Sequence, residues 1–510
     1  MSTVTEEKPK EQRVWSVQKQ DIFRWFKNAE DDPGYNSDHL VVRARAGTGK
    51  TTTIIEGVNR APESSILLCA FNKKIADDLT KRISNPHAEA KTLHSVGYQA
   101  IKRQWRGMPV SKGTERADSL TALVTDVRRT PKPIVRLITQ LHTKGRDMLP
   151  LEATGPALLD LALFFDLVPD EGWAEYSLEW VVTQALRAIQ YARDNDPTYD
   201  IGIDFADMIF LPLAWNLLSK DYDMVVVDEA QDLSKAQIEI AQRLCSGRIC
   251  VVGDDKQAIY GFRGADSKSL DRLKSELGAA ELPLTTTYRC CQSVVRKAQA
   301  LVPDILAGVD NPEGVVDAIE GLEGLLEAVE PGQFILSRLN APLVMITLGL
   351  LKRKKRARMA GRDIGAGIQA ILRKLKLLDS TPVVELLKRL QEWETKNVTR
   401  YASYGQLELV ERTRDQAGMI FALAETSETI SDLQNRIEWL FSDDVQDHEQ
   451  ILCSSVHKAK GLEAERVYVL QESFYRRGVT PEEQNIHYVA VTRAKSHLTF
   501  VTGIMAQRLQ

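Results

Sequence analysis

Eight consecutive residues, Ala44-Arg45-Ala46-Gly47-Thr48-Gly49-Lys50-Thr51, carry the plainest chemistry in the chain. They follow an apolar run, HLVVRA (39–44), and lead into TTTIIEGVNR, which has helical spacing. A glycine-bearing turn between a strand and a helix lets backbone N–H groups close on a phosphate at the positive helix end. Lys50 then supplies charge to β- and γ-phosphates and Thr51 a hydroxyl to Mg²⁺. Ala46, Gly47, Thr48, Gly49 and Thr52 complete the expected cradle, with Ala44 standing where the general pattern has its first glycine.

A second apolar run, MVVVDEAQD (224–232), ends in two carboxylates. At a strand's carboxyl end these suit phosphoryl transfer, Asp228 as a metal ligand and Glu229 as the base that polarises a water. The transition state also needs positive charge. The candidates are Arg289 in TTTYRC (285–290) and Arg493 in HYVAVTRAK (487–495). An arginine reaching a transferring phosphoryl group contributes about 10³–10⁵ in rate; taken singly, either arginine reads equally as a surface ion pair.

These groups need a scaffold that sets them down in one place. Short Val- and Ile-rich runs recur at 39–44, 64–71, 224–229, 248–254, 332–338, 465–470 and 497–501, each followed by a turn and a helical pattern. Such runs are strands buried on both faces of parallel sheets, so the fold class is α/β. Two long stretches, 101–205 and 345–445, carry helical periodicity and read as insertions. The expected layout is a first α/β domain over 1–100 and 206–283, interrupted by 101–205, and a second over 284–344 and 446–510, interrupted by 345–445.

At 510 residues the chain is too long for one core. No stretch has the uninterrupted apolar length of a membrane span, and the polar start MSTVTEEKPKEQR lacks the apolar core of a secretory signal. A place in the cytoplasm follows as an expectation, associated with the nucleoid, or in the nucleus if the source is eukaryotic. Six scattered cysteines without zinc spacing read as reduced, mostly buried thiols. The net charge of −4 offers no overall attraction to nucleic acid, so any such site must be a local groove. The basic run Lys352, Arg353, Lys354, Lys355, Arg356, Arg358 has two readings, a solvated helix face or a phosphate-tracking patch.

Taken in order, ARAGTGKT, CAFNKKIADDL (69–79), TLHSVG (92–97), VVVDEAQDL (225–233), VVGDDKQAIYGFRGA (251–265), TTTYRC, LSRLNAPL (336–343), SVHKAKGLE (455–463) and YVAVTRA (488–494) resemble the UvrD/Rep/PcrA family of superfamily 1 helicases. The match covers both α/β domains and neither insertion. It implies two RecA-like P-loop domains, each with a mainly helical insertion subdomain, ATP and Mg²⁺ as cofactors, and 3′→5′ travel on single-stranded DNA with DNA unwinding. By the same resemblance Gln257 senses the γ-phosphate, Tyr288 stacks on adenine, Arg289 and Arg493 are the arginine fingers, and Gly461 and Glu463 contact nucleotide. Gln18 is the choice for an adenine-reading glutamine, with Gln20 as the alternative.

On the DNA side the family pattern points to Phe71, Asn72, Thr92, His94, Ser95, Tyr260, Phe262 and Arg263. An aromatic platform is worth about 1–3 kcal/mol per base and a duplex step averages ~1.4 kcal/mol, so stacking replaces the neighbour that a separated base loses. Core packing is the other reading for the three aromatics, and a satisfied histidine the other reading for His94. Thr287 departs from the Asn common before Tyr288, and both insertions are shorter than in large bacterial members, which puts unaided strand separation in question rather than translocation. The compact layout resembles phage-type and F-box-type relatives more than UvrD. The expected partners are single-stranded DNA and single/double-strand junctions, with no membrane, the chain acting as a monomer or weak oligomer in repair or replication. The competing expectation is a DNA-stimulated ATPase switch within a repair or defence complex.

Overall fold

The computed structural model describes residues 14–28, 39–169, 175–195, 202–259, 269–375, 377–441, 449–476 and 478–504. Two six-stranded sheets organise it. The first contains β1 (His39–Ala44), β2 (Ile66–Ala70), β3 (Ala88–Thr92), β4 (Tyr222–Val227), β5 (Cys245–Gly253) and β6 (Ala280–Leu284), in the order β3-β2-β4-β5-β1-β6. Every pairing in it is parallel. A two-stranded pair follows, β7 (Thr286–Thr287) with β8 (Leu306–Ala307). The second sheet contains β9 (Val315–Glu320), β10 (Phe334–Ser337), β11 (Ala357–Met359), β12 (Ile451–Ser455), β13 (Ala464–Leu470) and β14 (Ala494–Thr502), ordered β11-β12-β10-β13-β14-β9 and again all parallel.

The apolar runs form strands because both faces of each are covered. Leu40, Val42, Leu68, Met224, Val226, Cys250 and Val252 pack on one side of the first sheet, and Val41, Leu67, Cys69, Val225, Val227 and Val251 on the other. Burying such a side chain is worth about 1.5–3 kcal/mol, which is why a continuous Val/Ile run rather than an alternating one marks a parallel sheet. The register puts Val42 opposite Val252 and Val227 opposite Val251, so β1, β5 and β4 end at one level and release their loops on the same side.

The insertions differ in how they are rooted. Residues 101–205 supply the helices Glu115–Val124, Lys132–Met148, Gly155–Phe164 and Leu178–Asp194, which enclose an apolar core around Leu120, Ile138, Leu158 and Ile189 that Phe210 and Leu211 complete from the first unit. Their neck is closed by the pairing of Val110 with Ile203, where Gly202 has φ +103° and a Cβ would lie 2.2 Å from the Pro109 oxygen. Beside the neck, Arg146 and Arg116 are fully buried against Asp204 and Asp207, with Arg146 bidentate to Asp204 at 3.0 and 2.6 Å. The described residues of 345–441 form helices joined by short connections, together with β11, which joins the second sheet beside β12, and the apolar faces of these helices merge with that sheet in one core containing Ile335, Ile371, Leu386, Ile420, Leu433 and Tyr468.

All six cysteines are free and buried, and among the described residues no helix is long and apolar enough to cross a membrane. In the basic run, Arg353 pairs with Glu323, Lys355 donates to the carbonyls of Glu327 and Val329 at 2.7 Å, and Arg356 lies 3.1 Å from Glu449.

Candidate functional site

The loop after β1 enters the helix Lys50–Val58 through Gly47 and Gly49, at φ +72° and +81°. Gly47 has a second reason to be glycine, since a Cβ there would lie 2.5 Å from both Arg289 Cβ and Thr287 Oγ1. Thr48 is buried and donates to the Arg45 carbonyl at 2.9 Å, which ties the loop back on itself. Thr51 Oγ1 donates to Asp228 Oδ2 at 2.9 Å, and Lys50 Nζ lies 3.3 Å from Glu229 Oε1. Thr52 turns outward, accepting from Arg82 at 3.4 Å. Glu229, directly after the β4 run, sits in the left-handed region at φ +51°, a strained conformation for a non-glycine residue that persists only where its surroundings hold it. Gln231 does so, donating to Glu229 Oε2 at 2.6 Å and accepting from Asp254 N at 3.0 Å.

Electrostatics separate the two acids. Burial and the charge of Glu229 push Asp228 up to about 6, against Lys50 and Thr51. Burial also works against charge on Glu229, but Lys50, Gln231 and Lys460 outweigh it and hold that carboxyl below the usual range. Lys50 is likewise opposed by burial, yet Glu229, Asp254 and Asp228 around it raise its pKa, so it stays charged.

The second α/β unit closes over this loop. Gln257 donates to Asp254 Oδ2 at 2.6 Å and accepts from Arg493 Nη2 at 3.4 Å, bridging the two units. Arg493 is 1 % exposed, and its other hydrogen bonds go to the Val489 and Leu462 carbonyls and the Thr492 hydroxyl, all neutral oxygens. Burial first, and the neighbouring Arg289 second, push its pKa down to about 10. Among the described residues no carboxylate forms an ion pair with this guanidinium, and the nearby Glu463 acts on it only through space; a buried cation so placed beside another cation is a costly arrangement that an arriving polyanion relieves. Arg289 is held by Glu463 at 2.5 Å, and Glu463 also meets Lys495 at 3.1 Å. Gly461 has φ +87° with open space around it.

On the other flank Tyr288 is half exposed, its N–H bound to the Gly47 carbonyl at 2.9 Å. Lys19 Nζ lies 4.3 Å from the Tyr288 ring centroid. Both ends of the Gln18 amide are bound to Thr285, at 3.0 Å each, and Gln20 donates to the Trp15 carbonyl.

The residues expected to face DNA lie elsewhere on the first unit. Phe71, at the end of β2, is 39 % exposed. Asn72 and Thr92 cap the helices Lys73–Arg82 and Leu93–Gln104 by accepting from Ile75 N and Ser95 N. His94 stacks on Phe205 with ring centroids 3.9 Å apart and planes at 15°. Phe205 is 63 % exposed although its neighbours Asp204 and Asp207 are locked into the buried ion cluster. Tyr260, Phe262 and Arg263 lie outside the described residues.

Several residues at these places were not singled out from the sequence. Tyr488 Oη accepts from Ala46 N at 3.0 Å, and Lys460 Nζ reaches Asp232 at 2.6 Å and the Gln257 carbonyl at 2.7 Å. Asp304 pairs with Arg45. The first two stand inside quoted motifs; Asp304, Lys19 and Phe205 had no signal, because only folding brings them to their partners.

A phosphate loop on one parallel sheet, faced by arginines from a second, defines the class of two-lobed P-loop proteins. Residues 28–278 match the UvrD/REP helicase N-terminal domain, and residues 380–503 match the UvrD-like helicase C-terminal domain. The chain belongs to the UvrD-like superfamily 1 helicases. It is 25% identical over 506 residues to F-box DNA helicase protein 1 of Schizosaccharomyces pombe, covering 90% of this chain and 55% of that one. To F-box DNA helicase 1 of Gallus gallus it is 26% identical over 529 residues, covering 92% and 47%. DNA helicase II of Escherichia coli is 22% identical over 290 residues, covering 52% and 38%. The chain thus spans about half, or less, of the length of these relatives.

Proposed function

We propose that this protein is an ATP-driven motor that travels 3′→5′ on single-stranded DNA and separates strands at single/double-strand junctions. The observation that carries this reading is Arg493, a buried cation that forms no ion pair among the described residues, set beside Arg289 and facing Lys50, Thr51, Asp228 and Glu229 across the cleft. In this reading the first lobe is 1–100 with 206–283, the second is 284–344 with 446–510, and the stretches 101–205 and 345–445 are the insertions.

The cradle fits a nucleotide triphosphate: Gly47 leaves no space for a Cβ, and Lys50 is nine-tenths buried with its charge retained. A Mg²⁺ ion entering with the nucleotide would be held by Thr51 and Asp228, and it supplies positive charge to the phosphate oxygens. Glu229, kept ionised, orients the attacking water and accepts its proton. Gln257, bound at once to Asp254 and Arg493, senses the γ-phosphate and passes its presence between the lobes. Arg289 and Arg493 meet charge that develops as the phosphoryl group transfers. Tyr288 and Lys19 form the flank against which a base packs. Phe71 and the His94–Phe205 pair offer aromatic surface to unstacked bases, a sequence-tolerant grip. Closure and opening of the cleft then shift one lobe's hold on the strand relative to the other.

Hydrolysis measured with single-stranded DNA, duplex, forked DNA and RNA tests the proposal. Stimulation greatest with single-stranded DNA, together with stopped-flow arrival times that lengthen with the strand toward its 5′ end, is the expected result. Travel toward the 3′ end, or stimulation only by an added protein, would defeat it.

A further inference from the structure

Three consecutive residues of the phosphate loop are each bound to a different part of the second lobe. Arg45 pairs with Asp304, Nε to Oδ1 at 2.8 Å and Nη2 to Oδ2 at 2.6 Å. Ala46 N–H is taken by Tyr488 Oη, and the Gly47 carbonyl by Tyr288 N–H. Arg45 is only 4 % exposed, and its remaining nitrogen, Nη1, is spent within the first lobe on Asp255 at 2.8 Å, Asp254 at 3.4 Å and the Ala44 carbonyl at 3.0 Å. Its fork therefore spans the boundary, with one prong anchored where β5 ends and the other on Asp304.

Asp304 occupies a telling place. It lies two residues before β8, in a turn packed on the second lobe's core through Val302 and Ile305. β8 pairs with β7, Thr286 opposite Leu306 and Thr287 opposite Ala307, and β7 leads directly into Tyr288 and Arg289. A pull on Asp304 is thus a pull on the small two-stranded sheet from which Arg289 hangs. That sheet reaches the phosphate loop closely enough that only glycine fits at position 47.

We propose that the Arg45–Asp304 ion pair is a positioning device that holds the β7–β8 pair, and with it the second lobe, against the phosphate loop, and so raises the share of molecules whose cleft is closed. The inference rests on the nucleotide-hydrolysing reading above. A ligand whose binding-competent state is fractionally populated has its apparent affinity reduced by that fraction. Breaking the pair lowers the closed population without removing any group that touches nucleotide, so it weakens binding and leaves the chemical step of the filled cleft alone.

The test compares Asp304→Ala and Asp304→Glu with the unaltered full chain. Affinity for a fluorescent ADP is measured by titration in Mg²⁺ buffer, KM and kcat for ATP at saturating single-stranded DNA, and the melting temperature as a control for folding. For Asp304→Ala we expect about a tenfold loss of ADP affinity, matched by about a tenfold rise in KM with kcat within twofold, the signature of a closed population reduced to about a tenth. Asp304→Glu, which keeps the carboxylate, recovers much of the loss. Unchanged affinity, a fall in kcat at constant KM, or a Glu variant as weak as the Ala variant overturns the proposal; if Asp304→Ala does not fold, Asp304→Asn is read by the same criteria. Because ADP binding is measured without turnover, the tie is tested even if DNA fails to stimulate hydrolysis, an outcome that would count against the motor reading instead.

Discussion

The nucleotide cleft and the outer face of the first lobe use similar side chains and are built in opposite ways. In the cleft, polar groups are cross-linked between lobes: Gln257 to Arg493, Lys460 to Asp232, Ala46 to Tyr488. On the outer face Asn72 and Thr92 spend their side chains capping their own helices, while Phe71 and Phe205 leave ring surface open to solvent. The difference teaches where change can be tolerated. Removing one member of a cross-linked set strands buried partners, whereas trimming an open ring removes only its contact with whatever docks there.

The largest expected effect is at the centre of the cleft. Lys50→Ala and Glu229→Gln should each bring ATP hydrolysis to background, with Glu229→Gln still binding nucleotide in a filter or fluorescence assay; substantial turnover by Glu229→Gln would remove that residue from the base role. Next, Arg493→Ala should lower kcat by about 10³-fold, and Arg493→Lys should recover little, because a lysine cannot serve the Val489, Leu462 and Gln257 oxygens together. Gly47→Ala forces a Cβ against Arg289 and Thr287 and demands a left-handed alanine, so nucleotide affinity should collapse while the melting temperature moves by only a few degrees.

Smaller effects belong to the outer face. Phe205→Ala should weaken single-stranded DNA binding by about 1–3 kcal/mol in a fluorescence-anisotropy titration and depress DNA-stimulated turnover more than turnover without DNA. Equal loss of both would place Phe205 in the fold rather than the grip.

A pH effect on stability, separate from activity, concerns the root of the first insertion behind that face. His142 is fully buried, and burial, with Arg146 next, pushes it down to about 3. Its folded pKa lies below the ordinary 6.5, so the unfolded chain takes up the proton first as pH falls. Stability is then complete above about pH 6.5 and declines toward pH 3 by about 1.4 kcal/mol per unit for this one group. Urea midpoints between pH 7 and pH 5 should show that slope, and His142→Gln should flatten it by one proton; an unchanged slope in the variant would show that other groups set it.

The α/β class and every quoted apolar run were legible, since a run of Val and Ile long enough to be buried on both faces has few other uses. The strands β3 and β9 were not legible: AEAKT and VVDAIE lie at sheet edges, partly or largely exposed, and each is interrupted by charged residues. Nor was β11, which is three residues beside a basic run and becomes a strand only because β12 offers it a partner. At the candidate site, the phosphate loop and the DE pair are local arrangements of neighbouring residues, visible in the chain itself. Gln18 shows the reverse, since both ends of its amide are engaged by Thr285 in a contact that no spacing announces.

By itself the sequence determined which groups could do chemistry and on what kind of strand end they stand, because motif and burial pattern are written over a few adjacent residues. Which of those groups meet was decided by tertiary structure alone. Arg493 becomes a buried cation beside Arg289, Asp304 a partner for the phosphate loop, and Phe205 an open ring beside His94 only when segments far apart in the chain are packed together. The physical reason is that desolvation and charge proximity depend on distances through space, and chain position does not fix those distances.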